Sequence, residues 1–258
     1  MVLMSKGCLL AFALCLLVVP RAEARDRLNR IMKEKILRVG TPGDYRPFAM
    51  LADGKYEGHD TDATELIAKE LGVEVEYVPT SWPKLMEDHL AEKFDLSHGG
   101  IARSVARMTK ADFLPPYAPF SKVALIRAED KDRFTKPESL NHETVHVIKN
   151  PGGTNEIYVD SKLTKSKVTM HERNAEIPAL IAEGKGDVMI TETYEALVYS
   201  KKDNRLYGAF VDTPLTRIAY KGFMLQTDDP DFVRVMKFVW DELKLRGELD
   251  KCAEKWLK

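Results

Sequence analysis

Two successive runs of alternating strand-like and helix-like segments, parted by one charged stretch, constrain this chain more than any other feature. The first run places strands at residues 36–40, 73–78, 95–97 and 123–127, with helices at 62–71 and 82–92 between them. The second places strands at 144–149, 167–171 and 187–190, with helices after Thr154 and over 175–183. Such alternation predicts βαβ units, hence an α/β fold with two separate sheets. Residues 128–141 are polar, contain Pro137, and read as the first crossover between lobes. The return falls near 213–219; a strand at 220–226 and closing helices over 231–257 then rejoin the first lobe. The expected organisation is a discontinuous lobe 1 (25–127 plus 219–258) and a contiguous lobe 2 (128–218, crossovers included). An interrupted lobe beside a contiguous one makes a hinged cleft, a preferred place for small molecules.

Residues 1–24 stand apart from this pattern. Lys6 precedes an apolar run over 8–19, and Ala22-Glu23-Ala24 is a small-x-small cleavage site, so a signal peptide cut after Ala24 is expected. The run is too short to span a bilayer, and neither Cys8 nor Cys15 sits in a lipoprotein box. A periplasmic or secreted protein with no membrane insertion after processing follows. Cys252 is then the single remaining cysteine, which excludes a disulfide framework and a cysteine-rich metal site. With 39 Lys and Arg against 40 Asp and Glu, the charge is close to balanced and gives no reason to invoke nucleic acid. Oligomeric state, including a homo-oligomer, is left open.

The segment Asn150-Pro151-Gly152-Gly153-Thr154-Asn155-Glu156 reads as a strand end, a tight turn and a helix start. Glycines let a backbone approach a ligand, Thr154 is a candidate cap, and first-turn amides with the helix dipole favour an anion such as a carboxylate. The same residue types also make a purely structural turn.

Four segments in order carry a resemblance: Gly43 to Phe48, Val78 to Pro83, Asn150 to Glu156, and Met189 to Ala196. The chain resembles the periplasmic solute-binding proteins of type II, in their amino-acid-binding branch, and within it the cyclohexadienyl dehydratases. That resemblance spans essentially the whole chain after residue 24. It implies a two-lobed fold and a carbon–oxygen lyase that converts prephenate to phenylpyruvate, or arogenate to phenylalanine, with no metal or redox cofactor. It leaves a non-catalytic receptor of a transporter as the alternative.

By matching position, the resemblance makes Glu195 the general acid. A glutamate in water titrates near ~4.3, so an apolar, dehydrated cleft is needed to keep it protonated. A place in the first turn of a helix begun by Thr191 would work against this through the dipole, while Glu192 on the same face would assist by repulsion. Spacing alone fits a solvated surface glutamate equally well. Arg107 matches the clamp for a ligand carboxylate, a role suited to a planar bidentate guanidinium; without the match it reads as a surface arginine. Trp82 and Tyr45 offer flat walls for a ring, or core aromatics. Asp44, Lys122, Asn150, Gly153, Thr154 and Asn155 complete the expected cleft, with Lys122 facing a second carboxylate. Glu192 stands where binding proteins usually place an aspartate for the α-amino group, and its longer reach points away from arogenate. Gly99 and Ala102 stand where relatives usually carry hydroxyls. His98 at a strand end reads as structural.

Overall fold

The computed structural model describes residues 26–258, so the expected signal peptide lies outside the described residues. After a first helix, Asp26–Glu34, one sheet is built in the order Glu74–Pro79, Ile36–Thr41, Leu96–Ser97, Met224–Leu225, Asp112–Phe113. The first three strands are parallel, Ile36 facing Glu74 and Val39 facing Leu96, and Met224–Leu225 runs antiparallel to its neighbours. Parallel neighbours need a crossover, and helix His59–Leu71 supplies it. Asp60 and Asp62 lie in its first turn and Lys69 in its last, matching the dipole, and Gly72 ends it at φ 65°, where a side chain would be strained. Leu37, Val39, Ile67, Leu96, Phe223, Leu225, Phe232 and Trp240 form the core beneath. Helix Pro230–Leu245 reaches that core because Asp229 caps it, accepting from the N–H groups of Asp231 and Phe232, with Pro230 at the first helical position.

The second sheet runs Lys167–Met170, His146–Lys149, Val188–Glu192, Lys122–Arg127, Leu206–Ala209. Strand Lys122–Arg127, assigned to lobe 1 from sequence, is hydrogen-bonded into this second sheet, antiparallel to both neighbours, with Lys122 facing Glu192. The boundary expected at 127 therefore lies before Lys122. The cause is the strand's apolar run: Val123 and Leu125 pack on one face against Ile177, Ile181 and Ala196, while Ala124 and Ile126 pack on the other against Val147, Val159 and Leu163. A strand covered by helices on both faces is apolar throughout rather than alternating.

The two chain crossings pair with each other, Phe120 with Ala219 and Pro119 with Tyr220. They form a two-stranded hinge separate from both sheets. The carboxyl ends of the parallel strands of both sheets open onto the space beside it, where α/β folds place ligands. Loop 98–100 follows Leu96–Ser97, Asn150 follows His146–Lys149, and Glu192 ends its own strand.

Candidate functional site

Tyr45, Trp82 and Arg107 line the cleft from the first lobe, and Asn150, Gly153, Thr154, Asn155 and Glu192 line it from the second. Eight expected positions thus converge. The free space between them is about 30 Å³, room for a couple of waters and not for a ring, so the lobes are shut. Three expected residues stand one layer back, and Gly100, Ala102, Asn174 and Lys221 complete the lining. Asp44 accepts from Trp82 Nε1 at 2.9 Å. Lys122 lies behind Thr154 and Glu192. Glu195 lies behind Asn174.

The centre of the cleft is an ionic cluster. Glu192 Oε1 accepts from Lys122 Nζ at 2.8 Å, and Oε2 accepts from Lys221 Nζ and from the Tyr45 hydroxyl. Burial by itself would raise the Glu192 carboxyl; the two ammonium groups outweigh that and bring it to about 2. One carboxylate shared by two lysines cannot offset the desolvation of both. Burial accordingly lowers Lys221 to about 8 and lowers Lys122 as well. The Tyr45 hydroxyl is thus committed to Glu192 rather than offered to a ligand. Lys221 is 1% exposed, donates to the Gly100 carbonyl at 2.6 Å, and sits 4.1 Å from the Phe120 ring centre. Sequence reasoning missed it, because Tyr220-Lys221-Gly222 reads locally as an ordinary strand.

Glu195 is fully buried in the first turn of helix Thr193–Lys202. Thr191 is not the cap: Glu192 precedes the helix without a side-chain cap, and the Thr191 hydroxyl donates to Glu195 Oε2. Asn174 Nδ2 donates to Oε1 at 2.7 Å. Desolvation raises the carboxyl to about 8 although both donors favour its ionised form, with the Glu192 charge adding to the rise. At neutral pH this side chain carries its proton, as a general acid must.

The Asn150–Glu156 turn is built differently from its reading. Thr154 is the first helical residue, Gly153 precedes it with no side-chain cap, and the Thr154 hydroxyl accepts from Lys122 at 2.7 Å. Glu156 Oε2 instead accepts from the Gly152 N–H at 2.7 Å. Gly152, at φ 83°, approaches the opposite lobe rather than a ligand: a Cβ there would strike the Trp82 and Pro83 backbone.

Across the cleft, Gly99 and Gly100 donate to Asp60 Oδ2 at 3.0 and 2.8 Å, and Tyr117 donates to the same carboxylate. This fixes the loop whose Gly100 carbonyl holds Lys221. His98 stays structural, buried between Thr64 and the Asp60 carbonyl. Arg107 donates to the Ala102 carbonyl at 2.8 Å and, among the described residues, has no carboxylate at ion-pair distance. It is the cation left to meet a ligand.

Residues 37–258 match the model for bacterial extracellular solute-binding proteins, family 3. The cyclohexadienyl dehydratase of Pseudomonas aeruginosa is 34% identical over 247 residues, which cover 95% of this chain and 91% of that one. A solved ancestral amino acid-binding protein, a precursor of cyclohexadienyl dehydratase, superposes with a TM-score of 0.83 at 33% identity, over 90% of this chain and 99% of its own. A solved ancestral cyclohexadienyl dehydratase is 46% identical over 90% of this chain and 96% of its own, with a TM-score of 0.54. Sheet order, hinge, cleft and match agree: the chain belongs to the bacterial extracellular solute-binding proteins, family 3.

Proposed function

We propose that this chain is a cyclohexadienyl dehydratase working in the cleft between its lobes. In the reaction, the bond from the ring to its carboxylate breaks and releases carbon dioxide. Its electron pair shifts into the ring and expels the hydroxyl, which leaves as water after taking one proton. Glu195 supplies that proton and recovers one from solvent when the lobes open. Arg107 and the helix start at Gly153 to Asn155 hold the substrate's carboxylates, while Trp82 and Tyr45 flank the ring. The observation that carries this reading is the burial of Glu195, held at about 8 between Thr191 and Asn174. Glu195 stands behind Asn174 in the shut cleft, so the ring hydroxyl meets the acid beside that amide, which keeps its hydrogen bond to Glu195 Oε1. The extracellular family and the expected leader support activity in the periplasm or outside the cell.

A second reading, a receptor that delivers an amino acid to a transporter, is favoured by the superposition on an amino acid-binding protein. Both readings use Arg107 and the same closure; a receptor has no use for a dehydrated acid. The test incubates the purified protein with prephenate and follows phenylpyruvate, alongside Glu195→Gln. The parent should form product and the variant should be slower by about 10²–10⁴-fold, the usual contribution of a general acid. No product from the parent, with tight binding of an amino acid, overturns the reading in favour of the receptor.

A further inference from the structure

The Glu192 carboxylate has no capacity left for a ligand. Oε1 accepts from Lys122 at 2.8 Å and from the Thr154 hydroxyl at 3.4 Å, and Oε2 accepts from Lys221 and Tyr45. A carboxylate offers about four lone-pair directions, and these four donors take them. The other two carboxyls stand behind the lining, out of reach of the cleft space. Asp44 accepts from the Trp82 indole, and Glu195 from Thr191 and Asn174. Against them stand three cations, Arg107, Lys122 and Lys221. Arg107 alone has no carboxylate within ion-pair distance among the described residues.

An incoming α-ammonium group would meet a surplus of positive charge in a dehydrated space, where like charges repel strongly. Glu192 is the one carboxylate among the residues lining the cleft, and the ammonium would gain it by displacing Lys221. Lys221 is held against that by the Gly100 carbonyl and by the rings of Tyr45, Phe48 and Phe120. A keto group carries no such charge, and a second carboxylate is attracted.

We propose that the cleft selects a ligand bearing two carboxylates and a keto group over the same skeleton bearing an α-ammonium, and that Lys221, by occupying Glu192, sets this selection. The substrate pair rests on the dehydratase reading; the charge selection does not.

The experiment measures kcat/KM for prephenate and arogenate, and Kd for phenylpyruvate and L-phenylalanine, in the parent, Lys221→Met and Glu192→Gln. The parent should favour the keto member at least tenfold on both scales. Lys221→Met should cut that ratio tenfold or more, since Glu192 then has a lone pair to offer. Glu192→Gln should leave the ratio within about threefold of the parent's value, because the parent's Glu192 is already taken by Lys221. A purely structural defect lowers both members of a pair together and leaves the ratio where it was. If Lys221→Met does not fold, Glu192→Gln decides alone: loss of arogenate turnover with prephenate turnover kept would mean that Glu192 receives the ammonium, and the proposal fails. Equal turnover of both substrates by the parent also overturns the selection while leaving the dehydratase reading intact. No turnover of either, with phenylpyruvate still bound over phenylalanine, removes the dehydratase reading and keeps the selection.

Discussion

Asn174 Nδ2 donates to Glu195 Oε1 at 2.7 Å, and it joins a residue of the cleft wall to one buried behind it. Asn174 is 2% exposed, and its Oδ1 has no partner among the described residues. An orphaned acceptor at the edge of a cleft suits a hydroxyl donor, such as the ring hydroxyl of the proposed substrate. One amide would then hold both the acid and the group that the acid must protonate. Asn174 is in this sense a positioning residue.

Replacing Asn174 by Ala should lower kcat about tenfold or more with a smaller change in KM, since binding through Arg107 is untouched. It should also move the alkaline limb of the pH–rate profile upward. The sign follows from the hydrogen bond, which favours the ionised carboxylate and so holds the Glu195 pKa down. A fall in kcat with an unmoved limb would assign Asn174 a packing role only.

The limb itself is the next expected outcome. With Glu195 at about 8, the acid form is lost above that pH. kcat/KM for prephenate should therefore fall roughly tenfold per unit from about pH 8 upward. A profile flat from pH 7 to 10 would remove Glu195 from the role of acid.

Stability should carry the same signature. The folded Glu195 pKa lies above its unfolded value of 4.5, so the folded state binds more protons between them and this group's stabilisation is lost as pH rises toward 8. His89, brought down to about 4 by burial from 6.5, acts with the opposite sign below pH 6.5. The clean window is pH 6.5 to 8. There the parent should lose on the order of 2 kcal/mol relative to Glu195→Gln, at most 1.36 kcal/mol per unit. Urea unfolding of both proteins at the two pH values measures the difference, and equal slopes would contradict the raised pKa.

The order of elements was legible because each lobe repeats the helical and strand periods over segments long enough to show them. Which sheet a strand joins was not. Val123-Ala124-Leu125-Ile126 announces a buried strand, yet only its pairing with Val188–Glu192 and Leu206–Ala209 decides the lobe. The three-stranded meander of Asp44–Tyr45, Ala49–Ala52 and Lys55–Glu57 escaped notice, its strands being too short to display alternation. Thr154 and Thr191 have the right chemistry for caps, but Lys122 and Glu195 engage their hydroxyls instead. Lys221 and Asn174 become site residues through contacts 29 and 21 positions away along the chain, which no local pattern encodes.

Lobe closure supplies the last prediction. Gly152 sits at φ 83° with the Trp82–Pro83 backbone of the other lobe where its Cβ would stand, whereas Gly153, at φ −110°, has only the Asn155 nitrogen at 3.9 Å from the place of a Cβ. Gly152→Ala therefore brings backbone strain of about 1–2 kcal/mol together with a methyl group wedged between the lobes. Each lobe keeps its own core, since neither cluster includes the turn. The variant should fold, remain open when phenylpyruvate is added, and lose kcat by tenfold or more because the cleft stays wet. Gly153→Ala should still close on phenylpyruvate, as its added atom meets no opposing backbone. Small-angle scattering with and without phenylpyruvate reads the closure directly. If Gly152→Ala contracts as the parent does, the contact between Gly152 and Pro83 does not govern the shut state.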